Sequence, residues 1–262
     1  MSTEGGNWTD LRARVLSALV MVVIGAGAIW AGGLALAALG VVVTGLMVWE
    51  LARMVIPDNN AKHVAAGALG AVFMALAIGP GGLLPFYLLF LAVPGLLAWE
   101  GRKLRLWVPL YAYGLQLAVW YLVMLRGADG GFFWIIWIVL VIIASDVMGY
   151  FAGRTMGGPK FWPRVSPKKT WSGTVAGWVG AGLIGWGLVV IGGAPPILIL
   201  LSILTAFAGQ IGDIAESAIK RATGIKDSSN LIPGHGGLLD RFDALAGAGL
   251  FLFVINSLIA GA

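Results

Sequence analysis

Cysteine is missing from this 262-residue chain, and only 11% of its residues are charged, against about 25% in an ordinary soluble domain. The first absence excludes disulfides, thiolate metal sites and cysteine nucleophiles. The second, set beside 59% hydrophobic residues, excludes a soluble globular domain, which could not bury that much apolar surface. No GxxxxGK[ST] motif occurs, so a P-loop nucleotide site is not supported. The formal charge of +5 forms no single basic stripe, and no nucleic-acid partner is expected. What is abundant points to a membrane: 12 Trp suit the interface, and 40 Gly suit close helix contacts.

Apolar runs able to cross a hydrocarbon core of roughly 30 Å lie near 15–32, 34–49, 64–80, 83–99, 107–125, 131–152, 173–192, 195–216 and 238–261. Tight turns are expected at Pro80-Gly81-Gly82 and Gly193-Ala194-Pro195-Pro196. With a cytoplasmic N-terminus, 16 of the 17 Lys and Arg fall inside and only Arg126 falls outside. The expected fold is therefore all-α, a polytopic integral membrane bundle of about nine transmembrane helices with its C-terminus outside. A second apolar run follows the first almost at once, which favours an uncleaved first helix over a signal peptide. The first five spans, residues 1–125, hold no acid in mid-helix and read as scaffold with a surface for lipid or a homodimer partner. The chemistry is expected in residues 126–262.

Ionisable side chains at bilayer depth are costly and each is a functional hypothesis. Asp146, Asp213, Glu216, Asp240 and Asp243 sit near the cytoplasmic ends of spans six, eight and nine. Asp213, Glu216, Ser217 and Lys220 share one helical stripe, which is either part of a site or a self-neutralising polar seam. Asp240 and Asp243 lie one turn apart, and paired carboxylates with oxygen-only ligands suit Mg²⁺. Between them, Pro233-Gly234-His235-Gly236-Gly237 bends sharply, lets backbone amides approach phosphate oxygens and presents one imidazole. A second basic loop carries Gly153-Arg154, Lys160 and then Ser166-Pro167-Lys168-Lys169-Thr170, where glycines interleave with basic and hydroxyl residues as a polyphosphate site needs. Positive-inside charge touching anionic lipid explains part of that pattern.

The run Ser217-Ala218-Ile219-Lys220-Arg221, then Lys226-Asp227, then Pro233 to Gly237, then Leu239-Asp240-Arg241-Phe242-Asp243 resembles the phosphatidate cytidylyltransferase signature in residue type, order and spacing over 27 positions. Asp146, Gly149-Tyr150, Gly153-Arg154, the Ser166 to Thr170 segment and Gly212-Asp213 also look like motifs of that family. One departure is Trp171-Ser172, where the family more often has an acid. The resemblance implies CTP and phosphatidate as substrates, CDP-diacylglycerol and pyrophosphate as products, and Mg²⁺ as cofactor, with a second cation left open. It further implies a site on the cytoplasmic face of a bacterial-type inner membrane, among membrane lipids. On that footing Asp213, Asp240 and Asp243 are expected to hold metal. Lys220, Arg221, Lys226, His235 and Arg241 form the catalytic set. Ser166, Lys168, Lys169, Thr170, Ser217, Gly234, Gly236, Gly237, Asp146 and Asp227 form the substrate-binding set. A CTP-dependent lipid kinase would need a base for a neutral hydroxyl. A transporter would show repeated halves with midplane sites, whereas these acids cluster at one face.

Overall fold

The computed structural model describes residues 5–56, 59–79, 86–101 and 104–260. Ten helical segments follow in order: α1 Gly5–Ala31, α2 Gly33–Val55, α3 Asn60–Ile78, α4 Phe86–Leu89, α5 Ala92–Glu100, α6 Trp107–Gly127, α7 Gly131–Thr155, α8 Trp171–Gly192, α9 Ile197–Thr223 and α10 Leu239–Ala260. Between α7 and α8 lies an antiparallel pair, β1 Lys160–Trp162 and β2 Ser166–Thr170, which the all-helical expectation did not include. Among the described residues eight helices are long and apolar enough to span a membrane, namely α1 to α3 and α6 to α10. The chain is a polytopic helical membrane protein.

The span expected at 83–99 is not one continuous helix. Its described part consists of α4 and α5, joined at Phe90-Leu91, and neither piece is long enough to cross alone. The two still act as a return path. Lys62, at the start of α3, pairs with Glu100, at the end of α5, at 2.6 Å. The chain therefore leaves one level along α3 and comes back to it through α4 and α5. The expected Pro80-Gly81-Gly82 turn, Arg102 and Lys103 lie outside the described residues.

Helix ends follow local chemistry. Gly32 at φ 63° separates α1 from α2, and Asn59 caps α3 by accepting a hydrogen bond from the Lys62 amide at 3.1 Å. Gly193 closes α8 in the left-handed conformation that a Cβ would oppose, and Pro195 and Pro196 delay the next helix until Ile197.

The chain divides into two compact units. One comprises residues 1–116 with 222–241, the other 117–221 with 242–262. This division falls at 116/117 where the sequence placed a boundary at 125/126, and the loop 222–241 groups with the N-terminal residues. In the first unit α2 packs on α3, burying Met47, Val48, Leu51, Ala66 and Met74. Small residues allow it: a Cβ at Gly67 would stand 2.8 Å from the Gly45 carbonyl. In the second unit α7 packs on α8 through Gly149, Gly153, Gly173, Gly177 and Gly180, and a Cβ at Gly173 would meet the Gly149 carbonyl at 2.6 Å. Trp137 of α7 is buried and donates from Nε1 to Ser202 of α9 at 2.9 Å. Large apolar side chains such as Trp30, Leu34, Trp99 and Ile191 are exposed, as a surface facing lipid tails requires.

Candidate active site

The second unit carries an open cavity of about 550 Å³. Helix α7 contributes Ser145, Asp146, Gly149, Tyr150, Gly153 and Arg154, while β2 and the start of α8 contribute Lys168, Lys169, Thr170, Gly173 and Thr174. The glycines set this geometry, because α7 and α8 approach to backbone contact just where the cavity forms. Thr170 fixes the junction: its hydroxyl accepts from the Gly173 amide at 3.2 Å and so caps α8. Arg154 donates to the Tyr150 hydroxyl at 2.9 Å. On the far wall Gln210 of α9 accepts from Trp178 Nε1 at 3.0 Å and donates to Ser145 at 3.3 Å. The cavity is thus basic, with one carboxylate, Asp146, on its wall.

Beside it stands a group of three acids. Asp213, Glu216 and Asp243 each place a carboxylate oxygen within 4.8 Å of the others. Asp213 and Glu216 are one turn apart on α9, and Asp243 comes from α10. The two helices touch through glycine, since a Cβ at Gly212 would stand 3.0 Å from the Gly247 Cα. Lys169 links acid group and cavity, lining the latter and forming an ion pair with Asp213. Lys220 donates to Glu216 at 2.7 Å, both side chains being buried, and Ser217 donates to Asp213 at 3.2 Å. Three hard oxygen donors held this close, with Coulomb repulsion only partly offset by two ammonium groups, fit a divalent cation of the Mg²⁺ kind.

This trio differs from the expected Asp213, Asp240 and Asp243. Asp240 belongs to the first unit, where its Oδ2 accepts from the Ser228 amide at 2.9 Å, the Ser228 hydroxyl at 3.0 Å and the Gly237 amide at 2.8 Å. That oxygen is occupied in holding the loop. Glu216 takes the third place, for which its position three residues after Asp213 was the available signal. The Gly234 to Gly237 amides, expected to face phosphate, are largely engaged as well. His235 and Gly236 donate to the Ile232 carbonyl at 2.9 and 3.1 Å, and Gly237 donates to Asp240. Gly234 and Gly236, at φ 75° and 85°, make this tight turn feasible.

His235 does not stand alone. Its Nδ1 lies 2.8 Å from the Ser17 hydroxyl of α1, and its carbonyl accepts from Arg241 Nε and Nη2 at 3.0 and 2.6 Å. Lys226, Asp227 and Arg241 are exposed on the loop side, Arg221 is exposed at the end of α9, and Ser166 pairs with Trp162 in the hairpin. In the departure at Trp171-Ser172, Ser172 donates to the Gly157 carbonyl, closing the hairpin onto the glycine turn that follows α7. Sequence reasoning missed Glu50, the acid that ends an apolar run in the supposed scaffold. It is fully buried in α2 and accepts four hydrogen bonds from the loop and the start of α10.

Residues 12–259 match the model of the Cytidylyltransferase family. A phosphatidate cytidylyltransferase of Brucella abortus is 32% identical, with 96% of this chain and 95% of that protein covered. One of Pseudomonas aeruginosa is 35% identical over 91% and 94%, and one of Bacillus subtilis is 36% identical over 58% of each chain.

Proposed function

This chain belongs to the cytidylyltransferase family and is a membrane-embedded cytidylyltransferase; from that premise we propose that it transfers CMP from CTP to phosphatidate at the cytoplasmic face. A phosphate oxygen of phosphatidate forms a bond to the α-phosphorus of CTP, the bond from that phosphorus to the bridging oxygen breaks, and pyrophosphate leaves. The nucleophile is already ionised, so no protein base is required. The observation that carries the reading is Lys169, shared between a basic cavity and a three-carboxylate group.

Lys168, Lys169 and Arg154 bind and orient phosphates in the cavity, where three positive charges converge on one wall. The Thr170 cap holds β2 against α8 and keeps both lysines in place. Asp213, Glu216 and Asp243 would hold Mg²⁺, which when bound neutralises phosphate charge and stabilises the leaving pyrophosphate. Lys220 donates to Glu216 and holds that carboxylate in the group. The cytoplasmic placement rests on the segregation of 16 of 17 basic residues to one side.

The test is formation of radiolabelled CDP-diacylglycerol from α-labelled CTP by the purified protein in phosphatidate vesicles, with pyrophosphate measured in parallel. Equal amounts of both products, both abolished by EDTA and restored by Mg²⁺, are expected. Release of inorganic phosphate or CDP in place of pyrophosphate would overturn the reading.

A further inference from the structure

Glu50 sits in the helix that the sequence marks as scaffold, yet its contacts lie in the signature loop. Its relative exposure is 0%, as is that of Val48, Leu51 and Ala52 in the same helix. Both oxygens are saturated in the same way. Oε1 accepts from the Ser229 hydroxyl at 2.5 Å and the Leu238 amide at 2.9 Å. Oε2 accepts from the Ser228 hydroxyl at 3.2 Å and the Leu239 amide at 2.7 Å. Leu238 immediately precedes α10 and Leu239 begins it, so their amides are among those no helical carbonyl can satisfy. A carboxylate brought from α2 therefore caps α10 and pins the loop that precedes it.

Two features show that the arrangement is built. A Cβ at Gly237 would stand 2.5 Å from Glu50 Oε1, so the glycine leaves room for the carboxylate. The Ser228 hydroxyl lies within reach of Asp240 as well, so its single proton is shared between Glu50 and the first turn of α10. Every partner of Glu50 is able to donate, and a carboxylate only accepts. A glutamine of the same shape would aim its NH₂ at one of the two amides. A hydroxyl can rotate to adjust, whereas an amide N–H cannot.

We propose that Glu50 is a positioning residue for cytidylyl transfer, acting through the Ser228 to Leu239 loop and the start of α10. The same helix carries Asp243 one turn after Leu239, so the cap holds the first turn of the helix that bears a carboxylate assigned above to the cation. The inference rests on the cytidylyltransferase reading and adds to it a buried acid from the N-terminal helices.

The experiment uses the full-length protein in phosphatidate vesicles, with Glu50→Gln, Glu50→Asp and the Ser228→Ala/Ser229→Ala pair. Two readouts are taken: turnover with its KM for CTP, and hydrogen exchange at residues 228–241 against exchange in α2 and α3. Glu50→Gln is expected to lower kcat by about 10²-fold, the scale of a displacement of about 1 Å at a reacting centre, with KM for CTP within about threefold. Exchange should quicken in the loop and the first turn of α10 only, and Glu50→Asp should recover part of the loss. A monodisperse Glu50→Gln protein with kcat within about twofold of wild type overturns the proposal, as does exchange that quickens equally in α2 and α3. If Glu50→Gln does not fold, the double serine variant decides by the same readouts, and wild-type kcat with unchanged loop exchange overturns the proposal. A wild-type protein that makes no CDP-diacylglycerol would refute the reaction assigned above, whereas loop exchange would still show whether Glu50 forms the clamp.

Discussion

Replacing Asp213 by Asn tests whether the three-acid group serves chemistry or only holds helices together. With oxygens within 4.8 Å of one another, each ionised pair repels by about 3.5 kcal/mol at an effective dielectric of about 20. Asn removes the repulsion of Asp213 with both Glu216 and Asp243, and it also removes the ion pair with Lys169. The two changes are of opposite sign and similar size, so fold stability should stay near that of the wild type without divalent cation. Turnover should fall by about 10²-fold or more, because a transition-state charge contact is lost. Mg²⁺ should raise the melting temperature of the wild type by mass action and raise that of Asp213→Asn much less. The assays are thermal unfolding in detergent across a Mg²⁺ titration and CDP-diacylglycerol formation under the same conditions. Turnover within about threefold of wild type, with an undiminished Mg²⁺-induced shift, would refute the assignment and leave the acids as a polar seam.

Lys169→Ala should lower turnover by at least about tenfold while membrane insertion stays normal, since one charge among 16 barely alters orientation; wild-type kinetics would return it to a topological role. His235→Gln should cost about 10²-fold or less, and Ser17→Ala should cost a fraction of that, because Ser17 acts through its contact with the imidazole; full activity in both would leave the loop backbone as the working part. A Gly173→Ala variant should lose activity through displacement of α8 and of the Thr170 cap, as its Cβ would stand 2.6 Å from the Gly149 carbonyl, and an unaffected enzyme would show that the cavity tolerates a wider α7 to α8 spacing. For topology, a reporter after Ala262 should lie outside and one between Lys160 and Arg164 inside; both on one side would end the nine-crossing arrangement.

Helix positions were legible because two signals coincide in a membrane protein: long apolar runs, and glycine or proline where a run must stop. Gly32 and Gly193 mark ends that the structure places at the same residues, with left-handed φ at both. The segment at 83–99 shows where that reading weakens. Apolar content alone does not distinguish a continuous span from two short helices, and the return of the chain to the level at which α3 starts becomes visible through the Lys62 to Glu100 contact. The β1 to β2 hairpin was equally hidden, since its residues read as a basic loop and carry no alternation of apolar side chains.

The candidate site was legible where function and local spacing agree, and obscure where a long-range contact decides. Asp213 with Ser217, and Glu216 with Lys220, are neighbours by helical periodicity, so the stripe on α9 follows from residue order alone. Lys169 with Asp213 does not, because 44 positions separate them and one lies on β2, the other on α9. The pair Asp240 and Asp243 is the instructive case. Spacing alone makes them equivalent, but Asp240 stands in the first turn of α10, where unsatisfied amides of the preceding loop compete for its oxygens. Asp243, one turn further, meets the acids of α9 instead. Glu50 is the same principle in reverse: an acid 178 residues before Ser228 satisfies that loop, and no window of sequence contains both. A carboxylate's role in this protein is therefore decided by which unpaired donors lie within its reach, and sequence spacing reveals that only when those donors belong to its own helix.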